Sequence, residues 1–190
     1  MQEKEKKESF VKTHFTAKRV AYMAVFTALA FVVSLFDFPI FPATPMLKLD
    51  FGNVFILLAG FMFGPVEGVI VCVIKELLHI PVGSTGGVGE LANIIMTISY
   101  IIIPTVVYRF KKGLPIVILT LVIATIFSSG VCLLVNRFIN FPLYGDTELH
   151  FFNSVWQFII FFNLIKWTAI SVLTVLTYKP FHRFIKKFDT

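Results

Sequence analysis

Two polar side chains lie inside the last long apolar stretch of the chain, in the segment FFNLIKW. Asn163 and Lys166 are three residues apart, so a helix places both on one face. The amide offers an acceptor and two donors, and the ammonium offers three donors. Polar groups are costly in a bilayer and typical of functional sites there. The pair is predicted to bind a flat ligand edge that carries carbonyls and ring nitrogens.

Two structural alternatives for Lys166 stay open at this point. The long side chain could extend along the helix to the membrane surface, although Lys166 lies well inside the apolar stretch. It could also pair with Glu76 or Glu90 as a structural clamp.

Other polar residues are expected at the level of Asn163. Asn136 and Arg137 end one apolar stretch, and Glu90 and Asn93 open another. Several large apolar residues are expected nearby, namely Phe41, Met46, Leu47, Leu78 and Trp156. Together they predict a concave, mostly apolar pocket with a few placed polar groups. Each single Phe or Met could equally face lipid or pack in the core.

Signatures of common enzyme classes are missing from the sequence. It contains no GxxxxGK[ST], HExxH or GxSxG motif, and its four histidines are far apart. Glu76 and Glu90 flank one loop and could meet, but no motif supports catalysis by them. The glycine-rich segment 83–90 is a weak match to a phosphate loop, and its glycines favour either close backbone approach or a flexible lid. We expect no catalytic residue, no metal and no resident cofactor.

The composition indicates an integral membrane protein. Of the 190 residues, 57% are hydrophobic, and they occur in long blocks that are typical of bilayer spans. The net charge of +6 comes from Lys and Arg at block ends, which indicates membrane topology rather than nucleic-acid binding. Cys72 and Cys132 lie inside apolar blocks and match no disulfide or metal spacing.

The apolar blocks and the basic residues predict six membrane-spanning helices with both ends in the cytoplasm. The blocks are 20–36, 51–80, 91–107, 114–135 and 155–178, the last with a possible lead-in from Leu149. Gly64 and Pro65 interrupt the second block, which is either one kinked helix or two short ones. Two helices put 13 of the 17 basic residues inside, as the positive-inside rule favours. The exceptions are Lys48, Lys75, Arg137 and Lys166.

Three outer loops are expected to fold into the membrane, because the second and third spans are short. They are residues 38–50, 79–90 and 136–150. Prolines 39, 42 and 45 exclude a regular helix from the first loop, which is nonetheless apolar and should pack against the bundle. We expect a cytoplasmic tail at 1–17 and one six-helix domain at 18–190.

A small-residue pattern marks the first helix. Ala24 and Ala28 are four residues apart, a spacing that lets another helix approach closely. Packing inside the bundle is the alternative.

The chain resembles the substrate-binding (S) components of energy-coupling factor transporters, most closely the riboflavin-specific ones of Gram-positive bacteria. The resemblance covers 18–187 and rests on four features: the Ala24–Ala28 pattern, FPIFPATPMLKLDFGNVFILLAGFMFGPVEG, HIPVGSTGGVGELANII and FFNLIK. It implies an all-α protein of the bacterial cell membrane whose first outer loop closes over a riboflavin pocket. It also implies that Ala24 and Ala28 face a transmembrane scaffold subunit, and that two separate ATPase subunits power import.

The resemblance also assigns parts of riboflavin to residues of this chain. The ring edge would meet Asn163 and Lys166, and the ribityl hydroxyls would meet small polar partners. Those partners and the lid residues complete the predicted site: Phe41, Thr44, Met46, Leu47, Lys48, Leu78, Glu90, Asn93 and Asn136. The positive charge of Lys48, Arg137 and Lys166 leaves acceptance of phosphorylated flavins open. Other open hypotheses are an S component for thiamin or biotin, an intramembrane enzyme, and a structural membrane protein.

Overall fold

Six helices form the described part of the protein. The computed structural model describes residues 16–42, 44, 47–83 and 85–186, and of 179–186 only the backbone. The helices are α1 (Ala17–Ser34), α2 (Asn53–Phe63), α3 (Pro65–His79), α4 (Val88–Phe110), α5 (Leu114–Val135) and α6 (His150–Lys186). The fold is therefore all-helical, apart from one pair of two-residue strands, β1 (Phe38–Pro39) and β2 (Lys48–Leu49).

The apolar block 51–80 forms two helices and not one kinked helix. Gly64 separates them with φ 126°, a backbone conformation that favours glycine, and Pro65 starts α3 where no N–H is needed. The two helices then pack closely, because a Cβ on Gly68 would lie only 3.0 Å from the Cα of Gly60.

Four helical segments are long and apolar enough to span a membrane, which makes this a multi-pass membrane protein. They are Ala17–Ser34, Val88–Phe110, Leu114–Leu143 and His150–Tyr178. The remaining two helices are shorter, with 11 residues in α2 and 15 in α3. At 1.5 Å per residue they reach about 16 and 22 Å, less than the roughly 30 Å of a hydrocarbon core.

Aromatic packing holds the helices together. α5 lies between α4 and α6, while α3 contacts α1, α2 and α4. In the core, Tyr100 of α4 stacks on Trp167 of α6 with ring centroids 4.3 Å apart. Phe61 of α2 also packs on Tyr108 of α4, with ring centroids 4.8 Å apart. These contacts fix the spacing of the helices that carry the polar residues described below.

The connection 35–52 packs against the bundle, as its apolar sequence predicts. β1 and β2 pair antiparallel, with Pro39 opposite Lys48. Leu47 belongs to an apolar cluster with Phe141, Phe152, Val155, Ile159 and Phe162. Phe41 contacts Phe158 of α6 with ring centroids 5.7 Å apart. We call the end of the bundle that holds the connections 35–52, 80–87 and 144–149 the loop end.

The expectation of a loop from residue 136 is wrong for its first half. Helical structure continues from α5 through a π-helical turn, Asn136–Asn140, and a short α-helical turn, Phe141–Leu143. In the π turn the N–H of Phe141 donates to the carbonyl of Asn136, five residues back. This change of hydrogen-bond register lets the helix continue up to Pro142, which lacks an N–H.

The face of α1 that carries the small residues points outward. Ala24 and Ala28 are exposed, as are Val25 and Leu29 beside them. Packing inside the bundle, the alternative for the Ala24–Ala28 pattern, is therefore wrong.

Candidate functional site

A cavity of about 370 Å³ lies at the loop end of the bundle. That volume falls within the range of about 300–1,000 Å³ found for small-molecule sites. The walls come from the connections 35–52 and 80–87, from α3 and α4, from the π turn and from α6. Apolar side chains such as Leu47, Met96 and Phe162 line it together with amides and charged groups. The cavity is thus built from distant parts of the sequence.

Seven of the eleven predicted ligand-binding residues line this one cavity. They are Leu47, Lys48, Glu90, Asn93, Asn136, Asn163 and Lys166. Their roles toward a ligand stay predictions, but the sequence-based grouping agrees with their position in the fold.

The other predicted residues lie elsewhere. Phe41 packs on Phe158, and Thr44 is buried with no hydrogen-bond partner for its hydroxyl among the described residues. Leu78 is 47% exposed and is not among the residues that line the cavity. It follows Lys75 by three residues, but it lies at the edge of the buried face of α3. Met46 lies outside the described residues.

Arg137 and Trp156, which the sequence placed near the pocket, line a separate groove on the outside of the bundle. Successive residues of a helix point in different directions, so Asn136 faces the cavity while Arg137 points away from it. That part of the prediction is wrong.

Asn163 and Lys166 are buried side by side at the cavity wall, with 2% and 3% of their surfaces exposed. Asn163 Nδ2 donates to the Ile159 carbonyl at 2.8 Å. No donor to its Oδ1 is found in the described part of the chain, so that oxygen remains an acceptor for a ligand. The Lys166 Nζ lies 5.0 Å from the centroid of the Trp167 ring.

Neither structural alternative for Lys166 agrees with this position. The residue is too buried to reach the membrane surface. Within the described residues, no carboxylate lies within 4.0 Å of its ammonium group, and Glu76 pairs with Lys75 instead. Its three donors are therefore directed to the cavity and to the Trp167 ring.

A buried charge cluster forms the floor beside Lys166. Lys75 Nζ donates to Asp50 Oδ2 at 2.6 Å and to Glu76 Oε1 at 2.9 Å. Burial raises the pKa of the Asp50 carboxyl, but the charges of Lys75 and Lys166 and hydrogen bonds from Lys75 and Gly52 together hold it below its usual value. Asp50 is therefore ionised, and this cluster explains why Lys75 lies inside the protein.

Glu90 is held by its own neighbours. Thr85 Oγ1 donates to one carboxylate oxygen, and His79 Nδ1 lies 3.3 Å from the other. A Cβ on Gly83 would collide with this carboxylate and would lie 3.2 Å from the His79 carbonyl, so a side chain there would displace Glu90 from its contacts. These contacts fix the connection 80–87 between α3 and α4. They also separate Glu90 from Glu76, so the two do not form an acid pair.

The π turn places two asparagines on the cavity wall. Asn136 Nδ2 donates to the Cys132 carbonyl at 2.8 Å, and Asn140 Nδ2 donates to Asn136 Oδ1 at 3.1 Å. The Oδ1 of Asn140 is buried and has no hydrogen-bond partner in the described structure. A buried acceptor of this kind at a cavity is suited to receive a ligand donor.

Sequence reasoning missed several cavity residues. They are Asp37, Asp50, Lys75, His79, Thr85, Asn140 and Tyr144. Two signals could have found some of them. Lys75 and Glu76 are adjacent charges in an apolar block, and Asn140 follows Asn136 by four residues, which is one helical turn.

The amides and charged groups of the cavity offer hydrogen bonds and ion pairs to a ligand. Within the described ranges, no group of three or more His, Cys, Asp or Glu side chains could hold a metal ion. Cys72 and Cys132 are free and buried.

Comparison with known proteins identifies the family. The family model described as "ECF transporter, substrate-specific component" matches residues 18–178. The chain belongs to this family of S components. Its members are subunits of transporters and not enzymes.

Three relatives of this S component are named riboflavin transporters. RibU of Staphylococcus aureus is 35% identical, and the alignment covers 90% of this chain and 93% of the relative. FmnP of Bacillus subtilis is 31% identical over 85% of this chain and 90% of the relative. RibU of Streptococcus thermophilus is 25% identical, over 90% of this chain and 85% of the relative.

The fold of the S component also matches a solved structure. That structure is described as the S component of a bacterial ECF transporter and is 36% identical in sequence. The TM-score is 0.79, and the match covers 89% of this chain and 98% of the other. The helical arrangement described above is therefore the fold of this family.

Proposed function

We propose that this S component captures riboflavin in the cavity at the loop end. The observation that carries the proposal is the pair of buried groups, Asn163 Oδ1 and Lys166 Nζ, which face the cavity without a hydrogen-bond partner among the described residues. Relatives named riboflavin transporters, up to 35% identical, support the choice of ligand.

The polar edge of the flavin ring matches these two groups. Its pyrimidine part carries one N–H between two carbonyls. Asn163 Oδ1 accepts from that N–H, and Lys166 Nζ donates to a carbonyl beside it. The apolar dimethylbenzene part packs on side chains such as Leu47, Met96 and Phe162, which line the same cavity. The buried polar groups and the apolar walls thus each have a counterpart in one planar ligand.

The ribityl chain contacts the polar side of the cavity. Asn93, Asn136 and Lys48 offer hydrogen-bonding groups to its hydroxyls, and Asn140 Oδ1 adds a buried acceptor. Each carboxylate oxygen of Glu90 already contacts one protein group, His79 or Thr85. Each oxygen can accept a second hydrogen bond, and Glu90 accepts one from a ribityl hydroxyl in this way.

The connection 35–52 acts as the lid. Phe41, Thr44 and Met46 belong to it, so their predicted contacts form when the lid closes over the ligand. Leu78, at the edge of the buried face of α3, is proposed to pack at the rim of the closed site.

The proposed topology has six crossings with both termini in the cytoplasm of a bacterial cell. The end opposite the loop end carries Lys18, Arg19, Arg109, Lys111 and Lys112. Because basic residues are retained inside, this end faces the cytoplasm and the cavity opens outside. The short helices α2 and α3 complete their crossings with the connections 35–52 and 80–87.

Transport requires other subunits, as in the family. The exposed face of Ala24 and Ala28 on α1 contacts the transmembrane scaffold subunit, because small residues let a partner helix approach closely. Two ATPase subunits supply the energy, and the S component turns in the membrane to release its ligand inside. No resident cofactor takes part, since riboflavin is the cargo.

A ligand panel tests the function. Purified protein, stripped of bound ligand, is titrated with riboflavin, thiamin and biotin by calorimetry. We expect tight binding of riboflavin alone, because neither of the other two presents one N–H between two carbonyls on the edge of a flat ring. Binding of thiamin or biotin in place of riboflavin would keep the family and overturn the proposed ligand. Binding of none of the three would overturn the function.

A further inference from the structure

We propose that a groove on the outside of the bundle, between α5 and α6 at the loop end, binds the phosphate of an anionic membrane phospholipid through Arg137. The groove has a volume of about 260 Å³ and is lined by Leu133, Leu134, Arg137, Phe152, Asn153 and Trp156. None of these residues lines the ligand cavity. The inference therefore does not depend on which ligand the cavity binds.

Arg137 has aromatic neighbours and no carboxylate partner in the described structure. Its guanidinium carbon lies 5.7 Å from the ring centroids of both Phe138 and Phe152. Both acids of the neighbouring connection are engaged. Asp146 Oδ2 accepts from the N–H of Phe152 at 2.9 Å, and Glu148 Oε2 lies 2.8 Å from His150 Nε2. The two rings orient the guanidinium, and its donors remain available for an external anion.

The surroundings of Arg137 fit a lipid better than a soluble anion. Leu134, Phe138 and Trp156 are 55%, 67% and 40% exposed, on helices long and apolar enough to span a membrane. Tryptophan beside a basic residue at a helix end is typical of the headgroup level of a bilayer. A phospholipid supplies both an acyl chain for the apolar walls and a phosphate for the arginine fork. Asn153 adds an amide donor at the same groove.

The charge of the groove selects an anionic lipid. Arg137 is the one charged residue among those that line it. A zwitterionic lipid also carries a phosphate, but its own ammonium group weakens the attraction to Arg137. One basic residue next to an anionic lipid corresponds to about a fivefold preference.

Tryptophan quenching tests this preference in the full chain reconstituted into vesicles. The protein has two tryptophans, Trp156 in the groove and Trp167, which is fully buried. Phosphatidylcholine vesicles receive the same small fraction of brominated phosphatidylglycerol or of brominated phosphatidylcholine. We expect the local quencher concentration at Trp156 to be about fivefold higher with phosphatidylglycerol. Arg137→Gln removes the difference, whereas Arg109→Gln, at the opposite end, retains it.

Two further variants keep the test decisive. Trp156→Phe abolishes the preferential quenching if Trp156 is its source, and Arg137→Lys keeps the charge and part of the preference while losing the planar fork. Equal quenching by the two brominated lipids overturns the proposal. So does a preference that survives in Arg137→Gln or in Trp156→Phe.

Discussion

At the scale of single residues, four charged side chains at the cavity floor have different roles. Lys75 is shared by Asp50 and Glu76, at 2.6 and 2.9 Å. Lys166 lies close enough to lower the pKa of Asp50 but donates a hydrogen bond to neither acid in the described structure. The short contacts of Lys75 with both carboxyl groups limit the cost of burying the cluster. Lys166 is the member whose donors remain for a ligand.

The buried oxygen of Asn140 leads to a prediction about stability and binding. Asn140→Leu removes an acceptor that has no partner among the described residues. It also breaks the hydrogen bond from Asn140 Nδ2 to Asn136 Oδ1, so the lost bond offsets the removal of the unpartnered acceptor, and we expect the ligand-free protein to unfold near the wild-type temperature. Riboflavin affinity should fall by about tenfold, the value of one hydrogen bond to the ligand. Thermal unfolding with and without riboflavin measures both effects.

Asn136→Leu is the matched control one helical turn away. Asn136 already donates to the Cys132 carbonyl and accepts from Asn140. Its replacement breaks both bonds and should lower the unfolding temperature. Wild-type riboflavin affinity in Asn140→Leu would contradict the proposed contact between Asn140 Oδ1 and the ligand.

The residues of the site could be predicted only in part. Asn163 and Lys166 were identifiable because they are polar residues in an apolar helix and are three residues apart, which places them on one face. Asn140 was missed because residues 136–150 were expected to form a loop, so its one-turn spacing from Asn136 was not used; the structure shows helical backbone there. Likewise, the sequence marks Lys75 as exceptional but cannot show that Asp50, 25 residues earlier, is its partner.

At the scale of elements, ion pairs hold the connection 35–52 at two points. Lys48 Nζ lies 3.2 Å from Asp37 Oδ1 and joins the two ends of the strand pair. Asp50, directly after β2, is bound to Lys75 of α3 and to the N–H of Gly52. The second contact is buried, so it fixes the end of the connection that leads into α2. Lys48 is more than one-third exposed, so its pair with Asp37 contributes less.

Removing Lys75 should destabilise the whole fold. Lys75→Met leaves Asp50 and Glu76 buried without their cation, and breaking a buried pair in this way costs about 3–5 kcal/mol. The double variant Lys75→Met/Asp50→Asn should recover part of that loss, because one uncompensated charge is removed. Thermal unfolding in detergent measures this: the unfolding temperature should be highest for the wild type, lower for the double variant and lowest for Lys75→Met.

Lys111→Met is the control for this series, because Lys111 is exposed at the opposite end of the bundle. It should unfold within a degree or two of the wild type, as surface substitutions usually do. Equal stability of Lys75→Met and Lys111→Met would show that the buried cluster does not matter.

The elements themselves were predicted well where helix-breaking residues mark them. Gly64 and Pro65 divide α2 from α3 as expected, and Gly113 precedes α5. The ends of apolar helices were harder to predict, because hydropathy marks where the apolar stretch ends and not where the helix ends. For that reason α6 extends to Lys186, beyond the predicted end at Tyr178, while its start at His150 agrees with the possible lead-in from Leu149.

At the scale of the whole molecule, the cavity carries no net charge while the chain carries +6. Three lysines and three acids line it, namely Lys48, Lys75, Lys166, Asp37, Asp50 and Glu90. Five further basic residues of the described structure, Lys18, Arg19, Arg109, Lys111 and Lys112, lie at the opposite end of the bundle and away from the cavity. A neutral ligand fits this balance.

Phosphorylated riboflavin should therefore bind more weakly than riboflavin. Its phosphate adds about two negative charges to a cavity whose cations are already matched by acids. We expect at least about a tenfold loss of affinity, as for a charge buried without a partner. Competition between the two flavins for the purified protein measures the ratio. Equal affinity would point to a cation that the described cavity does not contain.

The topology can be tested in intact cells with cysteine labelling. Cys72 and Cys132 are buried, so they should not react with a membrane-impermeant maleimide. Thr147→Cys, in the connection 144–149, should be labelled from outside, whereas Lys111→Cys should be labelled only after the membrane is opened. The reverse pattern would place the cavity on the cytoplasmic side.

The most direct test of the account is a riboflavin titration of Asn163→Leu and Lys166→Met, beside Leu119→Ala, which alters an exposed side chain of α5. Each site variant loses hydrogen bonds to the ring edge, so each should bind at least about 30-fold more weakly. Leu119→Ala should bind as the wild type does. Wild-type affinity in both site variants would contradict the central claim that these two side chains bind the ligand.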